Sequence, residues 1–334
     1  MELIREIPFD AERIVQLDAQ SGLETLLVVV KGTFAFERGR PVVAEEQVPL
    51  QRADAYRGEP GKSSLAAAGD LAPFKPATDI LLQGFAYTQS GSRDAVVVGL
   101  RVGALQKAAR VVGDREWGGR LGLSALSRPE PFLKLDLTYE RAFGGTDASV
   151  PNRPERCEEN PVGVGFRAHG SRLTRGADKA PNIESVTRPI RALGDRVPPV
   201  GFGPVAPDWL PRRQHAGTMD ERWRKEVCPL LPADFQDRFH QVAPPDQVYP
   251  GYLKGGESGR VLGATPEGTW DFTLPTSFPE VVVKLGQTRE VLPCPCDTVV
   301  VEPEARRLSL TWRARMNVHG RLPALHWIKV QVRA

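Results

Sequence analysis

Apolar and polar residues alternate along both ends of the chain and lose that rhythm in its middle. Between Leu26 and Glu37, the residues Leu26, Val28, Val30, Gly32, Phe34 and Phe36 fall on one face and Lys31, Thr33 and Glu37 on the other, the two-residue period of a strand. Glu37-Arg38-Gly39-Arg40-Pro41 predicts a turn, and Pro41-Val42-Val43 the start of a return strand. Residues 51–78 read as loop, with one helical turn in the Ala-rich stretch Leu65–Ala68. From Asp79 the pattern predicts a β-meander. Ile80–Tyr87 is followed by a polar turn, Thr88–Asp94, and then Val96, Val98, Leu100 and Val102 share a face with Arg101 opposite. Arg110–Arg115 is a further strand reaching a Gly113-Asp114 turn, and Leu133, Leu135, Leu137 and Tyr139 point inward against Lys134, Asp136 and Thr138. Polar residues at alternate positions predict antiparallel strands with one solvated face.

The region from about 144 to 258 breaks this rhythm with a series of prolines that includes Pro151, Pro161, Pro181, Pro199, Pro204 and Pro211. One helix is signalled there. Thr218-Met219-Asp220-Glu221 fits a capping box, in which the Thr218 hydroxyl accepts from the third helical amide and Glu221 reaches back. Trp223 and Val227 then share a helix face, and Pro229 ends the helix. Strands resume near Trp270. Val281, Val283 and Leu285 alternate with Val282 and Lys284, Thr298–Glu302 is β-branched, and Leu308, Leu310, Trp312, Ala314 and Met316 alternate with Ser309, Thr311, Arg313 and Arg315. An internal echo links Val96–Leu100 with Val281–Leu285 and Leu135–Tyr139 with Leu308–Trp312; it reads either as a duplication or as independent strands drawing on the same residue preferences.

The predicted fold is therefore mainly β, with antiparallel sheets from both ends of the chain, sandwich- or barrel-like, and a long Pro/Gly-rich central loop region carrying short helices. Residues 1–143 form an N-terminal β region, 144–258 a central elaboration, and 259–334 a C-terminal β region that packs with the first as one composite unit.

Composition adds limits. The chain has 334 residues, 41% apolar and 25% charged, ordinary values for a globular protein. A net charge of +3 without a basic cluster speaks against nucleic acid. The charged start Met1–Glu6 has no apolar h-region, and no run reaches the ~18 apolar residues of a membrane span. With four cysteines, too few for a disulfide scaffold, the expectation is a reduced, cytoplasmic protein without a membrane partner.

Candidate chemistry is sparse. Cys294-Pro295-Cys296 lacks the second ligand pair of a zinc site and reads as structural thiols. Gly144-Gly145 and Gly163-Val164-Gly165 match no phosphate-loop pattern and read as turns and close backbone approaches. Glu140 with Asp147 is a conceivable acid/base pair, although Arg141 offers an ion-pair partner and no nucleophile is adjacent. His169, His215, His240, His319 and His326 sit in mostly loop-like settings with no nucleophile motif beside them. The segment 151–225 is rich in arginine: Arg153, Arg156, Arg167, Arg172, Arg175, Arg188, Arg191, Arg196, Arg212, Arg213, Arg222 and Arg224. With Phe166, Phe202, Trp209 and Trp223 interleaved, it has the composition of a binding hot spot, or of arginines bonding loop carbonyls internally.

The order of motifs carries a resemblance. Glu140, Arg141, Phe143, Gly144 and Gly145 come first; then Asn160, Pro161, Gly163, Gly165 and Phe166; then Asn182 and Glu184; then Gly201, Phe202, Gly203 and Pro204. Trp209 and Arg212 lead to Gly217, Thr218 and Asp220 with Trp223, and the series continues through Pro232–Phe235, Ala243–Gln247 and Gly255–Glu257. This series, spanning roughly 20 to 315, resembles a bacterial "domain of unknown function" family associated with type VI secretion accessory proteins. The chain departs from it at Met219, where an aromatic is expected, and at His240. The resemblance implies a non-enzymatic adaptor or chaperone, with no cofactor or metal, that helps load a toxic effector onto the VgrG/PAAR spike. Its implied partners are proteins: the effector, PAAR or VgrG. Trp209, Arg212, Arg213 and Trp223, flanking the expected helix, are candidate partner contacts: the indoles offer apolar faces, and the guanidinium groups forked donors for carboxylates. Two other readings are a β-rich hydrolase or carbohydrate-acting enzyme using Glu140 and Asp147, and a structural component of a secretion or phage-tail-like particle.

Overall fold

The Glu24–Glu37 strand pairs on one side with Asp10–Leu17 and on the other with Arg307–Asn317, so the two ends of the chain meet in one sheet. The computed structural model describes residues 2–88, 93–120, 123–150, 152–168 and 178–332. The six-stranded sheet runs Asp10–Leu17, Glu24–Glu37, Arg307–Asn317, Cys296–Glu302, Asp79–Leu82, with Arg40–Val43 pairing onto the end of Glu24–Glu37. Only its last pair, Cys296–Glu302 with Asp79–Leu82, is parallel. A four-stranded sheet runs Glu2–Arg5, Leu325–Val332, Pro279–Leu285, Thr288–Leu292. A five-stranded antiparallel sheet runs Ile183–Ser185, Leu105–Val112, Ala95–Val102, Ser258–Leu262, Thr269–Thr273. The sheets stay open, so the arrangement is sandwich-like and not a barrel. No helix among the described residues is long and apolar enough to cross a membrane.

One apolar core joins all three sheets. Val28, Val30 and Leu310 from the first meet Val281, Val283 and Ile328 from the second and Val98, Leu100 and Val261 from the third. Trp312 is its largest fixed point: Phe9 stacks on it at 5.7 Å, while Phe34 and Phe278 meet it edge-on at 6.4 and 5.4 Å. Such aromatic pairs add about 0.5–1.5 kcal/mol each beyond the area they bury.

The expected solvated face of the long strand is not solvated. Leu27, Val29 and Thr33 are as buried as Leu26 and Val28. The second face carries Lys31, Thr33, Thr298, Ser309, Thr311 and Arg313, all polar and all buried. Segments 44–75 and 240–248 cover it and supply partners: Lys31 pairs with Asp70 at 2.8 Å, Val48 N–H donates to the Thr33 hydroxyl, and Gln241 donates to Asp79. Alternation reported polarity correctly; it does not report what lies above the sheet.

Four further expectations are corrected. Ile80–Tyr87 is two strands, Asp79–Leu82 and Phe85–Tyr87, separated where Gly84 adopts φ +152°, and they join different ladders, so there is no meander. Leu65–Ala67 is a strand paired with Ala55–Tyr56, not a helical turn, because burying Leu65 against Tyr139 and Trp209 outweighs alanine's helix propensity. Leu133 is 64% exposed; the strand is only Lys134–Asp136, and Tyr139–Arg141 is a 3-10 turn. The echo does not mark equivalent places either: Lys134–Asp136 belongs to a two-stranded ladder, whereas Arg307–Asn317 lies inside the six-stranded sheet.

Candidate functional site

The central motifs meet at Asn160, which is fully buried. Its side-chain amide donates to the carbonyls of Tyr139 and Phe143 at 2.9 and 3.0 Å, and its backbone carbonyl accepts from Gly145 N–H at 2.8 Å. Gly144 passes so close that a Cβ there would lie 2.1 Å from the Asn160 carbonyl oxygen, at φ +151°. Phe143–Gly144 and Val164–Gly165 form a short parallel ladder beside it, which sets the Phe143 and Phe166 rings edge-on at 6.3 Å. Gly163 packs against the Asn160 amide, and Pro161 lies in the same partly buried turn. The glycines thus serve close packing around one amide.

The remaining motif side chains are also tied in. Glu140 accepts from the Ser64 amide and hydroxyl at 2.7 and 2.8 Å. Burial pushes its carboxyl up, but these bonds outweigh burial and hold it below its usual value. Asp147 accepts from the Ser149 and Ala168 amides, so each member of the conceivable acid/base pair is bound to backbone of its own. Arg141 donates to the Asn182 side chain, whose amide reaches the Val112 carbonyl at 3.0 Å. Glu184 pairs with Arg115 at 2.6 Å, both buried. Gly201 lies against the Tyr139 ring and gives its carbonyl to Lys107 at 2.6 Å, while the buried Phe202 carbonyl accepts from Leu82 N–H and Gln247. Gly203 offers its carbonyl to the Tyr139 hydroxyl, and Pro204 is buried beside it.

The signalled helix exists as Glu221–Glu226, but its cap is Asp220, which accepts from Trp223 N–H at 2.8 Å. The Thr218 amide and hydroxyl are both taken by Asp234, at 2.9 and 2.7 Å, and Gly217 packs on that carboxylate at φ +75°. Asp is an equally good cap, so the start moves two residues on.

The four candidate contacts separate. Trp209 is 1% exposed, edge-on to Tyr139 at 5.0 Å in a cluster with Leu65 and Val205, so it is a core residue and not a surface anchor. Trp223 is partly buried and donates to the Leu230 carbonyl. Arg213 is exposed and paired with Glu158 at 2.6 Å. Arg212, one position earlier on the short helix Leu210–Arg213, is turned about 100° around the axis from Arg213 and faces inward. It is 8% exposed, lies 5.2 Å over the Phe239 ring, and donates from Nε to the Phe239 carbonyl and from Nη1 to that of Val205. Arg156, Arg167 and Arg222 are paired internally with Glu158, Asp178 and Glu226, while Pro151, His169, Arg172, Arg175 and the tip of the Thr88–Asp94 turn lie outside the described residues.

Arg212 lines a groove of about 440 Å³. Pro76, Pro211, Tyr249 and Pro250 form walls, and Arg238 and His215 share the lining. A second opening, about 730 Å³, lies beside Glu140 and Arg141. It mixes Asp114, Glu116 and Glu130 with Arg115, Arg128 and Lys179, so it favours neither sign of ligand charge. Pro76, Arg212, Arg238 and Tyr249 are distant in sequence, and no local pattern united them.

Behind the groove His240 packs against the Phe235 and Phe239 rings. Burial, reinforced by the charges of Arg212, Arg313 and Lys75, pushes its imidazole down to about 4. Below the ordinary value of 6.5 the unfolded chain takes up a proton that the folded chain refuses until about pH 4. This group therefore supplies stability that is present above pH 6.5 and lost as pH falls through that window. Urea unfolding at about pH 7 and about pH 4.5 is expected to show His240→Gln losing about 2–3 kcal/mol less on acidification than the parent chain. Equal losses would contradict the assignment.

Burial also raises the Cys294 and Cys296 thiols well above their ordinary value and pushes Cys157 up to about 11, as expected of packing thiols. Among the described residues no group of three or more His, Cys, Asp or Glu is placed to hold a metal.

Fold and site together define an open, mainly β scaffold with motif-tied central loops and a cationic, proline-walled groove. The chain belongs to the bacterial family described as "Uncharacterized protein conserved in bacteria (DUF2169)", whose family model matches residues 21–313. That span contains every motif residue above and both lining arginines. Comparison with curated proteins and with solved structures gives no match.

Proposed function

We propose that this protein is a non-enzymatic accessory adaptor or chaperone that helps load a toxic effector onto the VgrG/PAAR spike of a type VI secretion system. The motif series resembling such accessory proteins supplies the biological setting. The groove is the structural observation that carries the reading: a buried guanidinium and an exposed one sit among rigid prolyl and tyrosyl walls. Pre-set apolar walls with a few directional donors suit recognition of a protein segment, because little ordering entropy remains to be lost on binding. The motif side chains build the scaffold behind that surface.

The test is co-expression of the tagged chain with the products of neighbouring genes. The expected result is a stoichiometric complex with one effector candidate, and loss of that effector from sheared spike particles when the adaptor gene is deleted. Unchanged effector delivery without the adaptor would overturn the reading. Stable retention of the chain in the finished particle would favour a structural component instead.

A further inference from the structure

We infer that the groove beside Arg212 seats an extended acidic segment of a partner protein, with one carboxylate paired to the Arg212 guanidinium and flanking apolar side chains against the prolyl walls. This deepens the adaptor reading and rests on it for the biological source of the segment.

Charge carries the argument. Arg212, Arg238 and His215 line the groove, and no Asp or Glu among the described residues does. The carboxylates whose charges reach Arg212, those of Asp54, Asp79 and Asp208, lie outside that lining. Arg212 is more than nine-tenths buried and has two of its nitrogens, Nε and Nη1, bonded to carbonyls at 3.0 Å. Its Nη2 has no acceptor among the described residues. Arg212 is thus a buried guanidinium held on two sides in a residue that lines the groove, and its remaining N–H groups are available to an anion there. Holding the guanidinium in place in advance reduces the entropy lost when a carboxylate pairs with it. Partial burial strengthens the charge-assisted bond relative to one in water. Arg238, exposed and without an ion-pair partner among the described residues, adds a second positive charge.

The walls define the rest of the occupant. Pro76, Pro211 and Pro250 carry no backbone N–H and line the groove with apolar rings, and Tyr249 adds an aromatic side chain. They suit aliphatic or prolyl side chains on either side of the acid. A bare small carboxylate would leave them uncovered.

The probe is a fluorescein-labelled peptide of repeating Leu-Glu-Pro units, with matched peptides carrying Gln or Lys for Glu, titrated by anisotropy onto the intact chain. The Glu peptide is expected to bind about tenfold or more tightly than the Gln peptide, and the Lys peptide not at all. Binding should weaken with added salt. Arg238→Glu, at an exposed position, should fold normally and lose about tenfold or more in affinity. Arg212→Lys keeps the charge but not the carbonyl-held guanidinium and should also weaken binding; its melting curve is checked first, because Arg212 holds two loop carbonyls. Equal binding of Glu and Gln peptides, or undiminished binding by Arg238→Glu, would overturn the inference. So would displacement of the peptide by free glutamate at a concentration comparable to the peptide's own, which would mark a small-carboxylate site. If the effector co-purifies undiminished with Arg238→Glu and no acidic peptide binds, the groove assignment alone falls. If the peptide results hold but no neighbouring product co-purifies, the adaptor reading falls and the groove stands.

Discussion

Asp79→Ala is expected to lower the unfolding free energy by about 3–5 kcal/mol, measured by urea denaturation. Asp79 is fully buried at the edge of the six-stranded sheet. It accepts from Lys75 Nζ at 2.8 Å, Gln241 Nε2 at 2.7 Å, and the Val242 and Ala243 amides at 2.9 and 3.2 Å. Truncation would leave the Lys75 ammonium, whose side chain is 3% exposed, with only the Thr298 hydroxyl, and would orphan the Val242 and Ala243 amides, while the Gln241 amide keeps its bond to the Ala77 carbonyl. An uncompensated buried charge is the dominant cost, larger than the loss of any single hydrogen bond. Adding Lys75→Met to Asp79→Ala should therefore recover part of the loss, a coupling that a double-mutant cycle reads directly. A loss below about 1 kcal/mol would show that this network does not fasten the sheet edge. Gln241 also lines the groove, so Asp79→Ala should weaken acidic-peptide binding as well.

Gly144→Ala is expected to cost about 3 kcal/mol or more, combining backbone strain with overpacking. At φ +151° an added Cβ would meet the Asn160 carbonyl oxygen at 2.1 Å, and that oxygen is backbone held at the centre of the motif knot. Gly203→Ala in a neighbouring motif is the control. Nothing lies within 4 Å of a Cβ there, so a change within about 0.5 kcal/mol is expected. Thermal unfolding of the two variants side by side checks the claim. Similar melting temperatures would mean that the knot yields easily, and that close packing does not explain the first glycine.

Much of the fold was legible because alternation is a local property. Glu24–Glu37, Pro279–Leu285 and Arg307–Asn317 all appear where apolar residues recur every second position. The Glu221–Glu226 helix was legible from its polar start and its closing proline. Its cap was misplaced because Asp234, distant along the chain, claims Thr218. Trp209 illustrates a deeper limit. A large aromatic beside two arginines has the composition of an interface anchor and equally that of a buried loop pin. Only the packing of Tyr139, Leu65 and Val205 around it makes it the second.

By itself, then, the amino-acid sequence determined a mainly β chain, an irregular Pro/Gly-rich middle, one short helix and an ordered series of motifs. Each depends on interactions within a few residues or on a pattern that repeats along one segment. The sequence also predicted strands from both ends of the chain packing together; tertiary structure alone decided which of them pair and in what register, Glu24–Glu37 against Arg307–Asn317. It also decided that loops would cover the polar face of that sheet, and that Asn160 and Asp79 would become fastening points. The groove is of the same kind. Pro76, Arg212, Arg238 and Tyr249 carry no common periodicity, and they meet only because the central segment is folded back over the sheet edge and tied there by Asp79 and Gln247.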